Sequence, residues 1–302
     1  MAPIPPFAHA ADAIGALAEG HRIADLLHRQ TAILVLPGHA DGLRPLFRDV
    51  GFRREALAAH DPALAGTLAD PFLDRHFATR LGARLLEAVL DGQAAFGWRP
   101  DGPPLHVSLT LPLLRSDAFA RFAALCRERR LRAGIGIAAM EACADPDAFA
   151  AARARLRDDG LALALEGVTP RTLALAAIEA LAPDLVKLDW SPGIPDADAG
   201  ARAALADAVA RIGPARLVLR GADTEAALRW GMSAGLRRFA GRHVGAMLAA
   251  SRLMACPHAA GCTLRQCAAR AESASPAGRR LCAAPRHLDD DAPPSWRLAS
   301  CA

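Results

Sequence analysis

From about residue 100 onwards, short apolar runs alternate with longer alanine-rich amphipathic segments, and this alternation constrains the fold most. The apolar runs are residues 105–111, 133–138, 161–165, 184–188, 216–219 and 236–239. The segments with helical periodicity are 117–130, 146–158, 171–181, 199–212 and 224–234. A strand followed by a helix, repeated this often, predicts parallel strands joined by crossover helices. Buried parallel strands are apolar on both faces, as these runs are.

The N-terminal part of the chain is less regular. It reads as a helix over 8–30, a strand over 31–36 and a long helix over 71–91, with a further strand within 44–58. Eight strands predict an α/β protein with a (β/α)8 barrel of the TIM type, and an open doubly wound sheet is the alternative. We expect four parts: a helical lead-in over 1–30, the barrel over 31–252, a cysteine-rich appendage over 253–283 and a disordered tail over 284–302.

Composition narrows the class of protein. Hydrophobic residues make up 52% of the chain and charged residues 23%, and no apolar run approaches the length of about 18 residues that spans a bilayer. The 36 Lys and Arg nearly balance the 32 Asp and Glu, so neither membrane insertion nor a nucleic-acid polymer as partner is expected. The N-terminus does not read as a secretory signal, which predicts a cytoplasmic protein with reduced cysteines.

Polar side chains lie at or just after the ends of the apolar runs. In a barrel of parallel strands these positions form the active-site face. The candidates are Ser108, Glu141, Glu166, Lys187, Asp189, Arg220, Asp223 and Arg242. A divalent metal requires several carboxylates that converge on one point, and we expect this set to supply only one or two there. Lys187 and Asp189 share one face of a strand, where they form either a functional pair or an ion pair that supports the rim.

The order of several motifs resembles that of the EAL domain, a barrel family that hydrolyses cyclic di-GMP. The strings are His106-Val-Ser-Leu-Thr, Met140-Glu, Leu165-Glu-Gly, Pro183-Asp-Leu-Val-Lys-Leu-Asp, Arg220-Gly-Ala-Asp-Thr and Phe239-Ala-Gly. The fourth string is the most specific, and the match extends over about 31–252. Within the family the chain is most similar to an alphaproteobacterial branch with a degenerate site, on the strings Glu166-Gly-Val-Thr-Pro-Arg-Thr-Leu, Val186-Lys-Leu-Asp-Trp-Ser-Pro, Ala227-Leu-Arg-Trp-Gly and Cys262-Thr-Leu-Arg-Gln-Cys.

The resemblance implies a two-metal phosphodiesterase site, from which this chain departs. The family's asparagine is here Ser108, its second glutamate Ala138, its acidic pair Glu166-Gly167, its late glutamate Arg220 and its glutamine Ala240. The string Glu55-Ala56-Leu57 is either the name motif or an accident. A fixed cation at residue 220 repels a divalent ion, so we expect no metal in the barrel and no hydrolysis. The alternative is residual phosphodiesterase activity that uses Glu55, Glu141, Glu166 and Lys187.

Binding without hydrolysis is a separate expectation. Lys187, Arg220 and Arg242 would hold the phosphates of cyclic di-GMP at the barrel mouth. Alternatively, Arg220 pairs with Glu166 or Asp223 and closes the pocket. The predicted function is therefore a non-enzymatic signalling module, which acts as a cyclic di-GMP sensor or as a scaffold for a protein partner. The resemblance also implies a homodimer.

Five of the seven cysteines lie at residue 256 or beyond, outside the predicted barrel. The candidate ligands are Cys256, His258, Cys262, Cys267 and Cys282. Three cysteines with His258 or Cys282 suit tetrahedral zinc, and the same thiolates suit an iron–sulfur cluster. A helix with incidental or redox-active thiols is the remaining interpretation.

Overall fold

The computed structural model describes residues 7–16, 23–36, 43–92 and 97–289. Its strands form a closed barrel in the order β1 to β8, which confirms the predicted barrel and excludes the open sheet. The strands are β1 (Leu27–Val35), β2 (Leu43–Phe52), β3 (Leu105–Ser108), β4 (Ala133–Ala138), β5 (Ala162–Val168), β6 (Leu185–Asp189), β7 (Leu217–Arg220) and β8 (Arg238–Ala240). The strands β2 to β8 are parallel, but β1 runs antiparallel to both β2 and β8.

Helices surround the barrel. They are α1 (Phe7–Ala16), α2 (Ile23–Leu26), α3 (Arg54–His60), α4 (Pro62–Ala69), α5 (Pro71–Leu90), α6 (Asp117–Glu128), α7 (Ala139–Ala144), α8 (Pro146–Asp158), α9 (Pro170–Leu175), α10 (Ala199–Ile212), α11 (Glu225–Ser233), α12 (Arg242–Ala255), α13 (Leu264–Glu272) and α14 (Pro276–Arg280). Short 3-10 helices are Pro112–Arg115, Ile178–Leu181, Pro214–Arg216, Ala259–Gly261 and Pro285–Leu288. No helix in the described part of the chain is both long and apolar enough to cross a membrane.

Local sequence explains many helix boundaries. Ser116 caps α6 by accepting a hydrogen bond from the Phe119 amide, and Thr224 caps α11 in the same way. Gly160 and Gly213, which follow α8 and α10, have φ angles of 71° and 88°, a region that favours glycine. These signals mark where the crossover helices begin and end.

The first strand begins earlier than the sequence predicts. The expected helix over 8–30 is wrong from residue 27, because β1 pairs with β2 along its whole length, from Leu27 opposite Phe52 to Val35 opposite Leu43. The strand β2 lies in the stretch 44–58 where the sequence predicts a further strand, and it begins one residue earlier. Local propensity does not reveal the start of β1, because Arg29 there contacts Ala271 and Asp289, which are distant in sequence.

The core has an outer layer and an inner one. Apolar side chains of the strands, such as Leu105, pack outwards against those of the helices, such as Phe119 and Phe122 of α6. A smaller cluster fills the barrel interior and consists of Ala32, Phe47, Val218 and Ala240. The interior is therefore packed rather than hollow, and polar side chains near it must find partners within the chain.

The C-terminal segment packs on the outside of β1. The buried guanidinium of Arg29 donates to the carbonyl oxygen of Ala271 (Nη2, 2.8 Å) and pairs with Asp289 at 2.5 Å. Asp289 also pairs with Arg279. Residues 284–289 belong to this packed segment and not to a tail, because Leu288 is buried. Residues 290–302 lie outside the described part, and the division at residue 253 stays a prediction.

Candidate functional site at the barrel mouth

The carboxyl ends of the strands bring the sequence-predicted residues together. In the strand register, Ala138 lies beside Glu166, and Asp189 lies beside Arg220. Arg220 in turn lies beside Ala240, the last residue of β8. The positions at which the family resemblance implies metal ligands therefore do share one end of the barrel.

Lys187 lies at the centre of this end, and its side chain is only 1% exposed. Its ammonium group donates to Glu166 Oε1 at 2.7 Å and to Asp49 Oδ1. The same nitrogen lies 5.2 Å from the centre of the Phe47 ring. A buried cation is thus bracketed by two carboxylates and one aromatic face, which offsets much of the cost of burying it.

The carboxylate of Glu166 is held on both sides. Its second oxygen, Oε2, accepts a hydrogen bond of 2.5 Å from Ser108 Oγ. Gly136 provides the space, because a Cβ atom at this position would overlap Glu166 Oε1. The chain therefore fixes this carboxylate with a lysine, a serine and a glycine from three neighbouring strands.

The electrostatics keep Lys187 protonated. Burial alone would lower the pKa of Lys187, but the charges of Asp49 and Glu166 outweigh it and raise that pKa. Burial alone would raise the pKa of Glu166, yet Lys187 and Arg220 lower it to about 2. For Asp49 burial prevails over the attraction to Lys187, and the pKa is raised. A lysine held as an ammonium ion is neither a general base nor an amine nucleophile.

Arg220 pairs with Asp189 through two parallel hydrogen bonds. Its Nε lies 2.6 Å from Asp189 Oδ1 and its Nη2 lies 3.0 Å from Oδ2. The pairs considered from the sequence alone, those of Arg220 with Glu166 or Asp223 and of Lys187 with Asp189, are not the pairs that form. The strand register decides this, because Asp189 is the direct neighbour of Arg220 on β6. Burial alone would lower the pKa of Arg220, but the carboxylates of Asp189, Glu166 and Asp49 raise it.

Arg242 begins α12 at the same end of the barrel. Its amide donates to Asp223 Oδ1 at 2.8 Å, and its Nε donates to Oδ2 at 3.0 Å. The Asp223 carboxylate therefore satisfies an amide at the N-terminus of α12, where negative charge is favoured. The Arg242 side chain is 78% exposed, so its guanidinium faces solvent at the rim.

Solved structures share this architecture, although no family model and no curated protein matches the chain. The Xanthomonas citri FimX EAL domain in complex with c-diGMP matches with 12% identity and a TM-score of 0.53, over 79% of this chain and 92% of that one. Vibrio cholerae LapD S helix-GGDEF-EAL, bound to c-di-GMP, matches with 14% identity and a TM-score of 0.53, over 81% and 59%. Bacillus subtilis YkuI, with substrate c-di-GMP and calcium, matches with 16% identity and a TM-score of 0.50, over 77% and 56%.

The chain has the EAL fold. At these identities the likeness establishes architecture alone, and the chain spans little more than half the length of the matched YkuI and LapD chains. The EAL fold includes the closed eight-stranded barrel described above.

Two sequence-predicted carboxylates lie away from the centre of this EAL-fold mouth. Glu55 is exposed on α3, so the string Glu55-Ala56-Leu57 is helical and does not lie on a strand. The carboxylate that β2 directs to Lys187 is Asp49, which the sequence reasoning missed. Glu141 accepts a hydrogen bond from the Leu111 amide at 2.8 Å, and burial raises its pKa.

His106 is a second residue that sequence reasoning did not connect to the mouth. It is buried inside the EAL-fold barrel, with its ring stacked on Phe47 at a centroid distance of 4.0 Å. Burial, with help from the charge of Lys187, lowers the pKa of His106 well below its ordinary value, so the ring is neutral. Its Nδ1 atom has no hydrogen-bond partner among the described residues. A single histidine without a spaced partner offers no signal in the sequence.

The C-terminal candidates also come together, but at a different place. One cavity of about 400 Å³ has all of these candidates in its lining: Cys256, His258, Cys262, Cys267 and Cys282. Across the residues that the structure describes, no group of three His, Cys, Asp or Glu side chains is arranged to hold a metal ion. The candidate residues therefore do lie together, and the binding of a metal by them stays a prediction.

Proposed function

We propose that this chain is a non-enzymatic signalling module: an EAL-fold barrel that binds cyclic di-GMP and does not hydrolyse it. One observation carries the proposal, namely that carboxylates at the mouth already contact cations of the chain itself. Asp49 and Glu166 contact Lys187. Asp189 contacts Arg220, and Asp223 contacts Arg242.

Divalent metals, which the family resemblance implies, do not fit these residues. Ala138 and Ala240 have no side-chain donor, and the hydroxyl of Ser108 is committed to Glu166. At an effective dielectric constant of about 20, a divalent ion about 4 Å from an ammonium group is repelled by about 8 kcal/mol. The mouth therefore lacks the side-chain ligands that would bind the metal ions, and its cations would repel them. Hydrolysis by a metal-bound water has no site there.

Cyclic di-GMP is proposed as the ligand because of the two arginines at the rim. FimX and LapD were solved with the cyclic dinucleotide, and phosphate groups are suited to arginine. The Nη1 atom of Arg220 and both Nη atoms of Arg242 take no part in the carboxylate pairs described above. Lys187 leaves the predicted set of phosphate contacts, because its ammonium is buried and already bonded.

Two measurements test the proposal. Purified protein with Mg²⁺ or Mn²⁺ is expected to form no linear dinucleotide from cyclic di-GMP, and steady turnover would show instead that residual phosphodiesterase chemistry survives. Titration calorimetry is expected to give binding heat with the native protein. Loss of a charged phosphate contact costs about 1.5–3 kcal/mol, so Arg220→Ala should weaken binding roughly 10- to 100-fold.

Arg229→Ala is the matched control, because Arg229 is an exposed arginine of α11 whose ion pair among the described residues is with Glu225 of the same helix. It is expected to bind like the native protein. Absence of heat from the native protein would remove cyclic di-GMP as ligand and leave a scaffold for a protein partner.

The setting of this module is also proposed. A reducing, cytoplasmic compartment is part of this proposal. A homodimer rests on the family resemblance alone, and sedimentation equilibrium of the purified chain tests it. A sedimenting monomer at micromolar concentration would contradict the dimer.

A further inference from the structure

The cysteine cavity, the space of about 400 Å³ that the C-terminal cysteines line, lies apart from the barrel mouth. Its walls come from the end of α12, from residues 256–262, from α13 and from residues 281–288. Small-molecule pockets have volumes of about 300–1,000 Å³, and they combine apolar walls with a few polar groups. The kind of ligand is therefore indicated by which side chains form the lining.

The charges in this lining have one sign. Arg252 and Arg270 line the cavity together with two histidines, and no Asp or Glu of the described residues does so. The charge of Arg252 also acts on Glu272, outside the cavity, where it opposes the rise in pKa that burial causes. The lining therefore favours an anion, and Arg270 is the cation best placed to bind it.

Arg270 keeps most of its guanidinium available for a ligand. Within the described residues the guanidinium makes one hydrogen bond, from Nη1 to Cys262 Sγ at 3.3 Å, and sulfur is a weak acceptor. The Nε and Nη2 atoms have no partner in the described part of the chain. These two atoms form the same fork with which Arg220 holds the Asp189 carboxylate at the mouth. A carboxylate is thus the group that the fork of Arg270 matches.

The rest of the lining is mostly apolar. Leu253, Leu281 and Leu288 contribute hydrocarbon, and Leu281 is 71% exposed. The four cysteines add to this wall, because a free thiol behaves as a small apolar side chain. Burial raises the pKa of the Cys267 thiol, which keeps it protonated and neutral. The cavity therefore presents one guanidinium fork beside an apolar wall.

We propose that the cysteine cavity binds an amphiphilic carboxylate, an organic acid whose head group pairs with Arg270 and whose hydrocarbon chain packs against Leu253, Leu281 and Leu288. A partly exposed ion pair is weak by itself, so burial of the chain supplies much of the affinity. This site goes beyond the proposed function of the barrel and does not depend on cyclic di-GMP.

Titration calorimetry of the full chain with octanoate tests the site. Binding should become about two- to fourfold tighter for each added methylene in the series hexanoate, octanoate and decanoate. Octan-1-ol, which has the same chain and no charge, should bind at least about tenfold more weakly than octanoate. Arg270→Ala should weaken octanoate binding about tenfold and leave octan-1-ol binding unchanged. Arg265→Ala, which changes an exposed arginine of α13 outside the cavity, should bind like the native protein.

Other outcomes would overturn the site. Absence of octanoate binding at millimolar concentration would remove this class of ligand. Equal weakening of octanoate and octan-1-ol in Arg270→Ala would show that the arginine only supports the structure. Leu281→Ser, at an exposed position, should weaken both probes alike, and native binding of both would show that the chain does not pack here. Sedimentation with phosphatidylglycerol vesicles, without binding of free octanoate, would assign the arginines to a membrane surface instead.

Discussion

Replacing Lys187 by methionine tests the charge arrangement on which the proposed function rests. The substitution keeps an unbranched side chain of similar length and removes only the ammonium, which leaves the carboxylates of Asp49 and Glu166 without their shared cation. Breaking a buried ion pair by removing one partner costs about 3–5 kcal/mol, because an uncompensated charge stays buried. We expect this loss in the free energy of unfolding, measured by urea denaturation at pH 7.

The pH dependence of the stability follows from the same pair of carboxylates. In the native protein the pKa of Glu166 falls from 4.5 to about 2, a shift of about 2.5 units, which corresponds to about 3 kcal/mol. Because the folded pKa is depressed, this stability is present above about pH 4.5 and is lost as the pH falls towards 2. The raised pKa of Asp49 acts in the opposite direction and offsets part of it.

Without Lys187, burial raises the pKa values of both carboxylates, so the sign of the dependence reverses. The variant should lose stability as the pH rises above about 4, and the gap to the native protein should narrow in mild acid. Lys187→Met combined with Asp49→Asn and Glu166→Gln should recover most of the loss, because no buried charge remains. Arg229→Met, which breaks an exposed pair, should cost less than about 0.5 kcal/mol. A lone Lys187→Met variant with native stability and an unchanged pH profile would refute the reasoning.

Two further substitutions test packing around the same barrel. Gly136→Ala places a methyl group against the fixed Glu166 carboxylate and should cost about 1–3 kcal/mol in thermal denaturation, whereas Gly193→Ala, with no atom within 4 Å of its Cβ, should change little. Asp289→Asn removes a carboxylate charge that contacts both Arg29 and Arg279, and should lower the free energy of urea unfolding by about 3 kcal/mol. Equal stability of the two alanine variants, or a native-like Asp289→Asn protein, would contradict the packing described here.

The parallel strands are predictable from the sequence because their signals are local. The strand β4 occupies residues 133–138 as expected, since an apolar run between two helices is sufficient to define it. The start of β1 is not predictable in this way, because the burial of Arg29 depends on the carbonyl oxygen of Ala271, 242 residues away. Such a contact leaves no trace in local periodicity.

The same distinction applies to the mouth. Glu166 and Lys187 can be selected because each closes or occupies an apolar run, but the partner of Lys187 on β2, Asp49, cannot. Its selection requires the register between β2 and β3, in which Asp49 lies opposite His106. The pair of Arg220 with Asp189 likewise follows from register and not from spacing along the chain.

The barrel mouth and the cysteine cavity lie at opposite ends of α12, which decides how their chemistry relates. Arg242, the first residue of this helix, pairs with Asp223 at the mouth, whereas Cys256 follows its last residue. A helix of 14 residues is about 21 Å long at about 1.5 Å per residue. A group bound by the cysteines therefore cannot coordinate a phosphate held at the rim. Cys267→Ser should then leave ligand binding at the mouth unchanged, whereas Arg220→Ala should weaken it.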